Sequence, residues 1–247
     1  MFAFGITATD TEMGKTIVTG SLAAAFKERG YKTGVCKPAA SGCVRLADGK
    51  LISTDAEFSM ACAHIEAVKQ RDVVPYVLEP ALAPAEASKI VGVTLDPQVM
   101  LATCKKMIMS NEVTVVEGVG GISAPLTEDF LVRDFFRALN IPIIIVVKAI
   151  LGNVNHAVLT AEYAKNHGLK VLGLVVNSWN EKMAGDLEKS NLYYYEKLTG
   201  LPILGKLPIL PNEMLAHPDS KKIANIVEQN IDMNKIIALA GGETTNE

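Results

Sequence analysis

A doubly wound, mostly parallel α/β sheet flanked by helices is the fold class this sequence predicts, and three observations predict it. Short, nearly all-apolar runs rich in β-branched residues recur between longer amphipathic segments. The polar and glycine-rich segments, Ala8–Thr16, Pro38–Gly42, Glu117–Pro125 and Gly152–Asn155, each follow one of those runs. In such folds, ligands bind outside the carboxyl ends of the strands. Finally, Gly14, Lys15 and Thr16 stand where the first apolar run gives way to the first amphipathic segment.

Taken in order, Phe2–Thr7 reads as the first strand. It is too short, and lacks the basic flank and cleavage site, for a signal peptide. Lys15–Arg29 follows as a helix, with Leu22, Ala25 and Phe26 on one stripe. Thr33–Lys37 is the second strand. Helices over Pro97–Met109, Arg133–Leu139, Asn155–His167 and Gly185–Thr199 then alternate with strands over Val113–Glu117, Ile143–Val147, Val171–Asn177 and Ile203–Leu207. Gly30, Gly168 and Gly200 stand where a left-handed residue ends a helix. The chain is expected to be one domain over 1–247, with a partly disordered tail over 230–247.

Composition narrows the function classes. The 49% hydrophobic and 21% charged content of these 247 residues fits a globular chain. A net charge of −3 with no basic stripe gives no reason to expect nucleic acid. No uninterrupted apolar run reaches the ~18 residues of a membrane span. Cys36, Cys43, Cys62 and Cys104 form no CxxC pair, which points to a reducing cytoplasm and away from zinc or a disulfide framework.

Thr9–Thr16 (TDTEMGKT) reads as a phosphate-binding loop and makes the fold P-loop NTPase-like. Amides at a helix start face an anion that the helix dipole also favours. Lys15 would reach the β- and γ-phosphates and the Thr16 hydroxyl would ligate Mg²⁺. The alternative is an ordinary helix start capped by Thr11. The common motif opens on glycine where this chain has Thr9, and a longer variant opens at Ala8; Gly5, the nearest glycine, lies inside the strand. Alanine costs little there if its φ is negative.

Other strand ends add candidates. Glu117 closes an apolar run and precedes Gly118, Gly120 and Gly121, which suits a hard-oxygen Mg²⁺ ligand beside a closely approaching phosphate. Lys37, before Pro38–Gly42, either snorkels to solvent or stabilises a reacting anion. Asp55 in STDAE is a metal ligand or a helix N-cap. Asn155 reads as the cap of its helix, whose exposed amides could instead hold a carboxylate. His156 is given no catalytic role, and Tyr193, Tyr194 and Tyr195 read as packing residues.

Together TDTEMGKT, CKPAASG, STDAE, VVEGVGGISAPL, LGNVNHAVLTAE, VVN and LPIL resemble the dethiobiotin synthetase family, in the same order over roughly positions 1 to 213. The resemblance implies ATP-dependent carboxylation and ring closure of 7,8-diaminopelargonate (7,8-diaminononanoate) in biotin biosynthesis. One amine captures CO₂ as a carbamate, ATP phosphorylates it, and the second amine closes the cyclic urea.

It also implies roles. Lys37 and Lys15 match catalytic lysines, and Thr16, Asp55 and Glu117 match metal ligands. Glu12, Met13, Gly14, Lys15, Thr16 and Ile17 match the nucleotide loop, joined by Asp55, Glu117, Gly118, Val119 and Gly120. Asn177 and Ser178, with Pro208, Ile209, Leu210 and Glu213, match nucleotide contacts. Thr11 and Ser41 match diamine or carbamate contacts. In that family a homodimer completes the site, and Gly152, Asn153 and Asn155 would receive the substrate carboxylate from a partner subunit.

Two other readings stay in view. A P-loop amidoligase related to cobyrinate amide synthase would want a glutaminase domain, for which 247 residues leave no room. A partitioning-type P-loop ATPase would want a second lysine early in the loop, where this chain reads Ala8-Thr9-Asp10-Thr11.

Overall fold

The computed structural model describes residues 1–242. Six strands form one sheet: β1 (Phe2–Ala8), β2 (Thr33–Cys36), β5 (Val113–Glu117), β6 (Ile143–Val147), β7 (Val171–Trp179) and β8 (Ile203–Pro208). Their spatial order is β2-β5-β1-β6-β7-β8, every neighbouring pair parallel. A separate antiparallel hairpin joins β3 (Val44–Arg45) to β4 (Leu51–Ile52).

The central strands are buried on both faces, which is why they read as unbroken apolar runs. One face carries α1 (Lys15–Glu28), α9 (Ser220–Asn230) and α10 (Met233–Ala240), whose Leu22, Phe26, Ile223, Val227, Ile236 and Ile237 pack with Phe4 and Ile6 of β1. The other face carries α4 (Pro97–Met109) and α5 (Val132–Leu139) toward β2, and α6 (Asn153–Asn166) and α7 (Asp186–Thr199) toward β8. The chain passes from β5 to β6 across β1, so strand order reverses there and a crevice opens at the carboxyl ends.

Two expectations of local structure are corrected. Residues from 230 onward do not fray through Ala240: α10 forms, capped by the Asp232 carboxylate on the Lys235 amide, with Met233, Ile236 and Ile237 buried. Sequence polarity around it hid this apolar face. Residues 243–247 of the expected tail lie outside the described residues. The helix after β6 begins at Asn153 with Gly152 as cap, so Asn155 is inside its first turn and is not the cap.

Three further helices carry weak sequence signals: α2 (Thr54–Cys62), α3 (Pro84–Val91) and the five-residue α8 (Asn212–Ala216). Ser53 caps α2, its hydroxyl accepting from the Ala56 amide at 3.2 Å. The Asp55 side chain is thereby free of the capping role considered for it. Gly20 in α1 lets α2 lie close, since a Cβ there would meet the Phe58 ring at 2.4 Å. That close approach carries Asp55 toward the end of β2.

Candidate active site

The loop between β1 and α1 gets its shape from two left-handed residues, Glu12 (φ 58°) and Gly14 (φ 91°). A side chain at Gly14 would be strained by that φ and would also strike the Asn177 amide, whose nitrogen would lie 2.0 Å from its Cβ. Ala8 needs no such freedom. It is the last residue of β1, paired with Val146 and fully buried, and it is not among the positive-φ residues. Gly14 itself is the α1 N-cap without a side-chain acceptor, so Thr11 does not cap the helix.

A cavity of about 930 Å³ opens over the ends of β1, β2 and β5. Thr11, Glu12, Gly14, Lys15, Thr16, Lys37, Ser41, Asp55, Glu117, Val119 and Gly120 all line it. Four parts of the chain therefore bring these candidates to one place.

Inside, charges are arranged in opposite-sign contact. Lys37 Nζ lies 2.5 Å from Asp55 Oδ2 and 2.8 Å from Glu117 Oε1. Thr16 Oγ1 donates to the same Glu117 oxygen at 2.8 Å. Burial pushes the Lys37 pKa down, but the Glu117 and Asp55 charges outweigh it and hold the ammonium above its ordinary value. Burial likewise pushes Asp55 up, and Lys37 more than reverses that, so the carboxyl stays ionised. Lys15 differs. Its Nζ donates to the Asp10 carbonyl at 3.0 Å, and burial, opposed by Glu117 and assisted by Lys37, lowers its pKa to about 8.

The other half of the sheet holds the loop by hydrogen bonds that are neutral apart from one lysine. Asn177 Nδ2 donates to the Met13 carbonyl at 2.8 Å and Lys148 Nζ to the Glu12 carbonyl at 2.8 Å. Asn153 Nδ2 donates to Thr9 Oγ1 at 3.0 Å. The buried Tyr195 hydroxyl lies 2.7 Å from the Lys148 carbonyl and 3.1 Å from Asn153 Oδ1.

Several candidates stand elsewhere. Met13 and Ile17 pack against the core below the loop. Gly118 donates its amide to the Ile6 carbonyl at 2.8 Å. Asn177 and Ser178 border a separate cavity of about 150 Å³ with Lys148, Trp179 and Met183. Leu210 is buried in the core, Pro208 pairs with Trp179, and Ile209 and Glu213 are exposed. Asn153 is buried and engaged with the loop, while Gly152 and Asn155 lie at the start of α6, outside the large cavity.

Sequence reasoning missed the wall formed by Ala81, Leu82, Ala83 and Pro84. The segment preceding it runs beside Lys37–Cys43, with the Lys37 amide on the Val73 carbonyl and the Ala40 amide on the Tyr76 carbonyl. Residues 73–78 (VVPYVL) contain the apolar run that could have signalled this irregular strand. Lys148 and Tyr195 were also missed as loop supports; a lysine closing the IIIVV strand was the available signal for the first.

Comparison with known proteins gives the family and the fold. The AAA domain family matches residues 3–216. The chain is similar to the ATP-dependent dethiobiotin synthetase of Bacillus velezensis, 36% identical over 97% of this chain and 98% of that one. It is similar to that of Bacillus subtilis strain 168, at 34% identity over 98% of this chain and 100% of the other. Among solved structures, the MinC:MinD cell division protein complex of Aquifex aeolicus superposes with a TM-score of 0.60 at 14% identity, covering 100% and 98% of the two chains. The Pyrococcus furiosus cell division ATPase MinD superposes with a TM-score of 0.57 at 16% identity, over 97% and 100%. At those identities the likeness establishes the fold alone.

Proposed function

Because this chain belongs to the dethiobiotin synthetase family and is an ATP-dependent ligase of biotin biosynthesis, we propose how its residues divide the work of carboxylating a diamine and closing the ring. The single observation that carries the proposal is the convergence of Lys15, Lys37, Thr16, Asp55 and Glu117 on one cavity. Their chemistry matches a step in which carbamate and phosphoryl oxygens, all negative, meet at one point.

ATP phosphates would lie along the Glu12–Thr16 amides and the α1 N-terminus, with Lys15 on the β- and γ-phosphates. Asn177 gives its amide nitrogen to the Met13 carbonyl, which leaves its Oδ1 to accept from the amino group of the base. Pro208, Ile209 and Glu213 would border that base, with Ser178 beside it. The carbamate of 7,8-diaminopelargonate would sit between Thr11, Ser41 and Lys37, the last lowering the barrier by offsetting developing charge.

The donor set fits Mg²⁺. Thr16, Asp55 and Glu117 present hard oxygens from one hydroxyl and two carboxylates, and Mg²⁺ completes such sets with phosphate and water. When bound it would neutralise phosphate charge and orient the γ-phosphoryl group.

A homodimer would supply the other end of the substrate. Leu151 is 84% and Leu159 61% exposed, and Ile150, Tyr194 and Leu198 are also exposed; these apolar side chains of α6, α7 and the loop before α6 are suited to meeting a second copy. No side chain caps α6, so its N-terminus near Gly152 and Asn155 suits the substrate carboxylate. Among the described residues, no helix is long and apolar enough to cross a membrane. We place the reaction in the cytoplasm, where ATP is available and the four buried thiols stay reduced.

Purified protein given the diamine, bicarbonate and MgATP should produce dethiobiotin with ADP. ATP turnover independent of the diamine would overturn the assignment. Leu151→Glu should convert a dimeric elution mass into that of one chain.

A further inference from the structure

We infer that Lys37 and a divalent cation exchange places on one carboxylate pair: the ammonium bridges Asp55 and Glu117 while the metal is absent, and leaves them for the reacting anion as the metal enters. The inference rests on the metal reading above.

Lys37 Nζ stands between the two carboxylates, 2.5 Å from Asp55 Oδ2 and 2.8 Å from Glu117 Oε1. The Lys37 and Glu117 side chains are 8% and 3% exposed, so water does little to screen that pair, whereas the Asp55 side chain is 45% exposed. Mg²⁺ takes oxygen ligands at about 2.0–2.1 Å. A cation bound through the same two oxygens would lie close to the point the ammonium now holds. Like charges in contact within a poorly screened site repel strongly, so the two cations alternate.

Lys15 is not the group that moves, because its Nζ rests on the Asp10 carbonyl and on neither carboxylate. Once displaced, Lys37 finds only Asp10 and Glu12 as further carboxylates among the described residues lining the cavity, and both are exposed. The remaining anion within the cavity is the substrate. Metal occupancy thus couples to delivery of Lys37, and the lysine stays neutralised by its own protein until the nucleotide and metal are in place. The same bridge offsets the repulsion of two neighbouring carboxylates in the empty protein, which removing Lys37 would expose.

The test is calorimetric titration of Mg²⁺ alone, without nucleotide, into the full chain and into Lys37→Met. Exchange requires the variant to bind Mg²⁺ about tenfold or more tightly than the wild type, because its internal competitor is gone. Equal or weaker binding overturns the inference. Lys37→Met also strips two carboxylates of their cation and puts the fold at risk, so the wild type carries a second readout. Acetylation of Lys37 by acetic anhydride, mapped by peptide mass spectrometry with Lys15 as reference, should rise several-fold in MgCl₂ over EDTA. An unchanged ratio overturns the exchange while leaving the ligase reading intact. If Glu117→Gln binds MgATP as well as the wild type, the metal assignment itself falls and the exchange falls with it.

Discussion

The two halves of the sheet's carboxyl edge solve different problems with different chemistry. Over β1, β2 and β5, four charged side chains from four segments meet in one cavity. Over β6 and β7, two side-chain amides and the Lys148 ammonium donate to carbonyls and a hydroxyl of the loop, and a buried tyrosine supports them from behind through the Lys148 carbonyl and Asn153 Oδ1. Charges placed together shift one another's ionisation and respond to a bound anion. Hydrogen bonds to carbonyls and a hydroxyl, neutral apart from the Lys148 ammonium, fix the loop's shape. We take the first half to supply chemistry and the second to supply a fixed loop.

That division makes ordered predictions. The largest effect should come from the charged half. Lys37→Ala should lower kcat by about a thousandfold, the scale of losing one preorganised charge at a transition state, with no loss of ATP affinity. Steady-state kinetics with separate ATP binding measurements check this, and equal damage to both would make Lys37 structural. In the neutral half, Asn177→Ala should weaken ATP binding by about tenfold, the worth of a hydrogen bond or two, with a smaller change in kcat.

Tyr195→Phe acts further back. It removes the donor shared by the Lys148 carbonyl and Asn153, leaving buried acceptors unpaired at about 1–3 kcal/mol. Thermal unfolding should report that loss, and ATP affinity should fall less than in Asn177→Ala. The smallest effect concerns pH. Lys15 has a folded pKa of about 8 against an ordinary 10.5, so in that window the unfolded chain binds the proton more tightly and raising pH favours the folded state. Lys15→Met should therefore be more stable than the nucleotide-free wild type at pH 7, by about 1 kcal/mol or roughly 2–4 °C. That advantage should shrink as pH rises through 8 toward 10.5; a constant difference would show that burial does not discharge Lys15.

Much of the charged half was legible because it sits at strand ends. Glu117 closes an apolar run where a charge is otherwise unexplained, while for Lys37, which closes another, snorkelling to solvent stood as an equal alternative. Lys15 and Thr16 came with Gly14, whose need is readable because left-handed backbone favours glycine. Asp55 was different. Its role depends on α2 lying against α1, through the space left by Gly20 beneath Phe58, and nothing local to STDAE records that approach. The neutral half was less legible still. Asn153 matched a substrate contact by resemblance, yet its side chain is buried and spans Thr9 and Tyr195.

By itself the sequence determined the alternation of strands and helices, the phosphate loop, and the charged residues closing β2 and β5. These follow from periodicity and backbone preference, which are properties of neighbours along the chain. Only the tertiary structure decided that Lys37 bridges Asp55 and Glu117, that Leu82 and its neighbours wall the cavity, and that α10 packs where a frayed tail was expected. Those outcomes depend on contacts between residues far apart in the chain, where small differences in packing and charge choose the partner, and local pattern carries no record of the choice.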